Sequence, residues 1–454
     1  MFSKLNHKRK GITLVEVILV LAIVGIVISL STTMMIFSTR SHRIVDEEFQ
    51  IQSNIRLTSQ IIGNYIKESS AIFMLNDAYF DNNSLKNEWD YFALSADKTQ
   101  VVQYKWNTAT NTHDKIILSD SYPGLVYSLS FDKSNDDSLL GGFSLKAVGQ
   151  SGTVKANIQN EVNALNSVVV DNSGNASNPA VALAYRTEDI PDPSKPRISV
   201  TLVLDKSGSM AWNLDGDTIY NGFDNSNSRF AIMKLKTVDL LNELEGIGNV
   251  HVAVVPFDTD ANKSGNYHNL YRISDYKTTL VNLVNGIPKD GGGTNIGDAM
   301  RRAYYIHDSF KTSNTGNLLH YNIMLMDGNP TYWTRKDGGG YYYSTGDISS
   351  SLIRGTGQED TSNVNDCMNY VSAVGENMYK LGSVEIKTFV IGFSANSANI
   401  NRLNNIAGYV TSPTNTKIVG RYYEATSGEA LQDVYKDISK QIEMDAWHIF
   451  GPYN

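Results

Sequence analysis

Cysteine is almost absent from this chain: among 454 residues only Cys367 carries a thiol, so no intramolecular disulfide can form. Its setting, CMNYVSAVGENMYKLG, reads as a helix in which the thiol is a small buried apolar group. Proline is scarce as well, and none of the ten precedes Pro123, so nothing before that point compels a helix to break. Basic charge gathers only in HKRK, residues 7–10. With a net charge of −8 and no basic stripe elsewhere, the chain does not read as a nucleic-acid binder. The length allows two or three domains with full cores, and 41% hydrophobic with 19% charged residues is an ordinary globular balance.

The most informative stretch is GITLVEVILVLAIVGIVISL, residues 11–30, where a glutamate stands inside an apolar run of membrane-spanning length. Between Ile12 and Phe37 the only charge is Glu16. A carboxylate in hydrocarbon is costly, so Glu16 either lies near the headgroups or has a partner. The basic cluster ahead of the run keeps the N-terminus cytoplasmic. No small-residue cleavage site follows the run, which sets it apart from an ordinary secretory signal. Beyond it Ile44, Ile51, Ile55, Ile62 and Ile66 recur at helical spacing. A single helix over residues 12–66, roughly 80 Å long, is therefore predicted, apolar all round in its first half and striped in its second.

KGITLVEVILVLAIVGIV resembles the class III signal of type IV pilins and related pseudopilins. The resemblance implies cutting after Gly11 by a prepilin peptidase, methylation of the new first residue Ile12, and Glu16 as residue five of the mature chain. It also implies that in the filament Glu16 meets the N-terminal amine of a neighbouring subunit, a cation that makes the buried carboxylate tolerable. Two departures stand out: Ile12 replaces the usual phenylalanine, and the proline common in the middle of pilin helices is missing.

From about Ser70 onward short alternating runs such as YFALS, VVQYKW, LVYSLSF and GGFSLKAVG are separated by Asn, Asp, Ser and Gly clusters, which reads as an antiparallel sheet. IPDPSKP, residues 190–196, holds three prolines and reads as a stiff linker. After it, ISVTLVL, NVHVAVVPF, YNIMLMD and EIKTFVIGF are runs suited to strands buried on both faces, alternating with helical stretches. This is the pattern of a doubly wound, Rossmann-like α/β domain, whose ligands bind beyond the C-terminal strand ends. The expected organisation is a leader over 1–11, a helix over 12–66 with 12–37 in the membrane or filament core, and a sheet module over 67–190. A linker over 191–196, an α/β domain over 197–445 and a tail over 446–454 complete it.

Polar residues collect at the strand ends: Asp205, Ser207 and Ser209 in DKSGS, Thr294 in GGGTN, and Asp327 in LMDG. By itself DKSGS also reads as a helix cap, and GGGT lacks the lysine of a phosphate loop. Together the five supply two carboxylates and three hydroxyls, hard oxygen donors suited to Mg²⁺, or to Mn²⁺ or Ca²⁺. The set resembles the metal-ion-dependent adhesion site of von Willebrand factor A domains, with Met326 where that family often has threonine. The resemblance implies a divalent cation that captures a carboxylate from an extracellular protein, such as a host matrix glycoprotein.

Two insertions flank these residues. The second, residues 328–360, carries Tyr332, Trp333, Tyr341, Tyr342 and Tyr343, which suit partner contacts or packing of the loop on its own domain. Asp215 and Asp217 in the first, residues 211–228, read as a second cation site or a solvated acidic turn. No nucleophile–base pair accompanies the cluster, so an enzyme is not expected. The function expected is that of a modular minor pilin acting as an adhesin. The other reading is a structural subunit that primes or caps filaments. The expected partners are other pilin subunits, the peptidase and the membrane before assembly, and the expected location is first the cytoplasmic membrane and then the surface pilus.

Overall fold

The computed structural model describes residues 13–133, 140–397 and 420–453. The leader, Gly11 and Ile12 lie outside the described residues. The chain divides into two compact units, Met1–Glu188 with Pro452–Asn454, and Asp189–Gly451.

The first unit is organised by α1, Leu14–Glu68, unbroken as the absence of proline allows. Its first half is exposed on all sides and is long and apolar enough to cross a membrane. Its second half buries Ile51, Ile55, Ile62 and Ile66, each contributing about 1.5–3 kcal/mol relative to exposure. Ile44, expected on the same stripe, is 52% exposed, because sheet packing on the helix begins only at Ile51.

Among the described residues nine strands follow: β1 Ala71–Leu75, β2 Asp90–Leu94, β3 Val101–Asn107, β4 Thr112–Ile117, β5 Leu125–Lys133, β6 Leu140–Gly149, β7 Val154–Asn163, β8 Val169–Asn172 and β9 Ala182–Arg186. They form two sheets rather than one, ordered β4-β3-β2-β9-β1-β8 and β5-β6-β7. All pairings are antiparallel except β1 with β8, which run parallel because the chain passes through the three-stranded sheet before it returns. β6 and β7 pack on α1, and the isoleucine stripe shares one core with Phe92, Leu129, Phe143, Leu145 and Tyr185.

The second unit contains β10 Arg197–Asp205, β11 Val250–Phe257, β12 Tyr271–Arg272, β13 Leu318–Met326, β14 Tyr332–Thr334, β15 Ile353–Gly355, β16 Lys380–Leu381, β17 Val384–Phe393 and β18 Gly420–Ala425. Its main sheet runs β12-β11-β10-β13-β17-β16, with β18 also pairing with β17. β11, β10, β13, β17 and β18 are mutually parallel, and their buried apolar runs fill the interior. Among the described residues its α-helices are α2 Arg229–Ile247, α3 Ile273–Asn285, α4 Ile296–Ser313, α5 Thr361–Asn377 and α6 Gly428–Phe450. α2 packs on α3 and α6, while α4 packs on α5. The sequence reading passed over α3, although Ile273, Leu280 and Val284, which it buries, carry the spacing. α6 runs past residue 445 into the expected tail, because Ala446, Trp447 and Phe450 are buried along the same face. Cys367 is buried in α5, and burial pushes its thiol up to about 12, which makes it inert at neutral pH.

Candidate functional site

Three loops meet at the C-terminal ends of the central strands. β10 ends on Asp205, which is completely buried. Its Oδ1 accepts a hydrogen bond from the Ser207 amide at 2.7 Å, while its Oδ2 is buried with no hydrogen-bond partner. Asp327 directly follows β13, and its Oδ1 accepts from the Ser209 hydroxyl at 2.9 Å. Its Oδ2 accepts from Nη1 of Arg229 at 2.6 Å, an ion pair shielded from solvent. The Ser207 and Ser209 hydroxyl oxygens lie 3.2 Å apart.

The glycine-rich loop is the third component. The Gly208 amide donates to the Gly292 carbonyl at 2.9 Å, which joins that loop to DKSGS. The Thr294 amide donates to the Thr331 hydroxyl at 2.9 Å, and its carbonyl accepts from the amides of Thr331 and Tyr332. Asn295 caps α4 by accepting from the Asp298 amide at 3.2 Å. Hydrogen bonds thus link four of the five expected residues in one cluster, and loop pairing brings Thr294 alongside. Glycine at 293 is a steric necessity, because a Cβ there would fall 2.1 Å from the Tyr332 ring. Gly293→Ala should push that ring and the Thr294 loop apart at a cost of about 1–3 kcal/mol, read as a lowered thermal midpoint. An unchanged midpoint would mean that the loop is not tightly set.

Burial raises the Asp205 carboxyl well above the usual carboxylate range, and the charge of Asp327 raises it further. Asp327 is also raised by burial, with Arg229 opposing the shift and Glu359 adding to it. The cluster therefore contains two buried acidic groups that repel each other, one with an unpartnered oxygen, and hydroxyls directed among them. These groups could hold a hard divalent cation. Among the described residues no set of three or more His, Cys, Asp and Glu side chains surrounds a common position, so hydroxyls and water must supply the other donors.

Arg229 and Glu359 escaped the sequence reading. Arg229 opens α2 beyond a long insertion, and Glu359 sits 32 residues after Asp327, where its Oε2 accepts from Asn329 at 3.2 Å. Neither has a local pattern that could have marked it. Lys206, inside DKSGS, is tied to Asp258 and Asp290. Asp217 and Asn213 close a turn on each other, and both Asp215 and Asp217 are exposed.

All five aromatic residues of the second insertion are half-buried. Trp333, Tyr341 and Tyr343 pack on the core, and the Tyr342 ring faces the Arg301 guanidinium at 5.0 Å. Tyr332 stands beside Gly293 and so comes nearest the cluster. More exposed aromatics lie in the first insertion, where Trp212 is exposed and Tyr220 is 85% exposed.

A mainly parallel sheet with helices packed on it, its Asp, Ser and Thr loops gathered at the strand ends, is the architecture of a doubly wound α/β domain. Residues 199–437 match the von Willebrand factor type A domain, and the chain belongs to that family. Residues 6–32 match the prokaryotic N-terminal methylation motif, so a type IV pilin N-terminus and a von Willebrand factor A domain share one chain. Both are building blocks of structural and adhesive proteins rather than of enzymes. Among solved structures the chain is similar to the PilB minor pilin from Streptococcus sanguinis, at 24% identity and a TM-score of 0.74. The match covers 89% of this chain and 100% of that one. A mutant of the same pilin gives a TM-score of 0.75 at the same identity and coverage. These likenesses are ones of fold. No curated protein matches the chain. The motif and the apolar half of α1 fit a membrane-anchored precursor that assembles into a surface pilus.

Proposed function

We propose that the chain is a minor type IV pilin that presents its von Willebrand factor A domain as a cation-dependent adhesive module. Asp205, Ser207, Ser209, Thr294 and Asp327 would hold the cation, Mg²⁺ or else Mn²⁺ or Ca²⁺. The observation that carries this reading is the Asp205 Oδ2, an acidic oxygen buried without a partner close to a second buried carboxylate. Such an oxygen is costly unless something positive meets it. When bound, the cation would offer an electrophilic position to a carboxylate of an extracellular protein. Trp212, whose amide donates to the Ser209 carbonyl, and Tyr332, beside Gly293, would offer apolar contact near it. Attachment of cells carrying Asp205→Ala tests the reading. Filaments that form normally but no longer attach support adhesion, whereas loss of filaments moves the role to priming or capping.

The N-terminal part rests on processing after Gly11 and on Glu16. In the isolated chain Glu16 is already satisfied: its carboxylate accepts from the Thr13 amide at 2.9 Å and from the Thr13 hydroxyl at 3.0 Å, closing a capping box on α1. Assembly with a neighbour would exchange this cap for the Ile12 amine. Gly11→Glu should leave the leader attached by intact mass, because a bulky charged residue cannot replace a glycine at the cut. Glu16→Ala should be cleaved yet enter filaments poorly, measured as its share of sheared pili. Incorporation at the wild-type level would show that Glu16 serves only as the cap.

A further inference from the structure

Arg229 is a fully buried guanidinium placed against one of the two carboxylates that the proposed cation would share. Its Nη1 donates to Asp327 Oδ2 at 2.6 Å. Nη2 donates to the Leu214 carbonyl at 3.3 Å and to the Ser394 hydroxyl at 3.4 Å, while Nε has no partner. Gly216 lies beside Nη2 and takes a φ of +91°, a backbone conformation that favours glycine. A buried charge survives only when paired, and breaking such a pair strands the remaining charge. Lys206, the nearby cation of DKSGS, is already taken by Asp258 and Asp290.

We infer that Arg229 is a built-in counter-ion that sustains the metal-free cluster and competes electrostatically with the divalent cation for Asp327. This inference rests on the metal reading above. With two carboxylates and one guanidinium the cluster carries a charge of about −1 when both acids are ionised, instead of −2. A divalent cation would therefore be held more loosely than by the carboxylates alone, and the loaded site would keep a surplus positive charge for an anionic partner. Arg229 also bonds the insertion through Leu214 and, through Ser394, the residue that follows β17.

The test is a Mg²⁺ titration by calorimetry on the detergent-solubilised full chain, comparing wild type, Arg229→Met and Arg229→Lys. Removing the charge should tighten Mg²⁺ binding by about tenfold or more, while lysine, which keeps it, should stay within about threefold of wild type. If Arg229 merely orients Asp327, the methionine variant should instead bind about 10–100-fold more weakly. That result, or an unchanged affinity, overturns the inference. A methionine variant that folds only with Mg²⁺ present supports it. If that variant folds under neither condition, lysine decides alone: near-wild-type affinity supports the counter-ion, and a tenfold loss overturns it. Wild type that takes up no Mg²⁺ sinks the metal reading itself, which is a separate result.

Discussion

Asp205→Ala is expected to erase most of the rise in melting temperature that Mg²⁺ gives the wild-type chain. A ligand that binds only the folded state adds about 2.7 kcal/mol at a hundred times its dissociation constant. For a unit of this size that corresponds to roughly 5–10 °C. Alanine removes a carboxylate whose Oδ2 is buried without a hydrogen-bond partner and leaves the apolar faces of the strands and helices untouched. Without metal the variant should not unfold earlier by more than about 1 kcal/mol. The Ser207 amide loses its acceptor, but the repulsion between Asp205 and Asp327 goes too. Thermal melts of both chains in EDTA and in Mg²⁺ give the four numbers needed. An equal cation-induced rise in both would rule out these five residues as the site. Attachment that survives both the substitution and EDTA would move binding away from the cation, towards the exposed aromatics of the first insertion.

Acid should unfold the second unit before its solvent-exposed carboxylates titrate, because of three buried histidines: His307 and His320 inside the sheet–helix interface, and His268, which burial, then Arg302, depresses to about 3. His307 and His320 lie with ring centroids 5.3 Å apart and share the Ser199 hydroxyl at 2.8 and 2.7 Å. His307 Nε2 donates to Asn322 Oδ1 at 2.9 Å, which leaves its Nδ1 to accept from Ser199 and keeps the ring neutral. Burial, then the neighbouring His320, depresses His307 to about 3, and burial, then Lys311, depresses His320 to about 4. For a base depressed by folding, the stability is fully present above the unfolded value near 6.5 and is lost as pH falls through it towards the folded value. At pH 5 each of the three rings should cost about 2 kcal/mol, together about 6, a large part of a normal folding free energy. Denaturant midpoints at pH 7, 6 and 5 measure this, and His307→Gln should remove about a third of the pH dependence that these rings supply. The raised carboxyls of Asp205 and Asp327 oppose the trend but are common to both chains, so they cancel in the comparison. Parallel loss in wild type and variant would place the acid sensitivity elsewhere.

What could be read from the sequence is what is periodic or local. The unbroken α1, the isoleucine stripe from Ile51, the four long buried strands and the loops that follow them depend on spacing and on side chains close in the chain. So does the oxygen-rich character of DKSGS, GGGT and LMDG, because each set is contiguous in the chain. The split of the first unit into two sheets with a parallel β1–β8 pair did not follow, since pairing partners nearly 100 residues apart leave no local mark. The half-burial of the aromatic loop was open for the same reason: Trp333, Tyr341 and Tyr343 look like contact residues until the core they cover is known. Arg229 is the clearest case. A charged residue at the start of a helix is ordinarily solvated, and only the tertiary structure brings it to Asp327, 98 residues away, and seals both from water. Spacing could mark the oxygens of the site, but the cation opposite them depended on burial, which is a property of the whole fold.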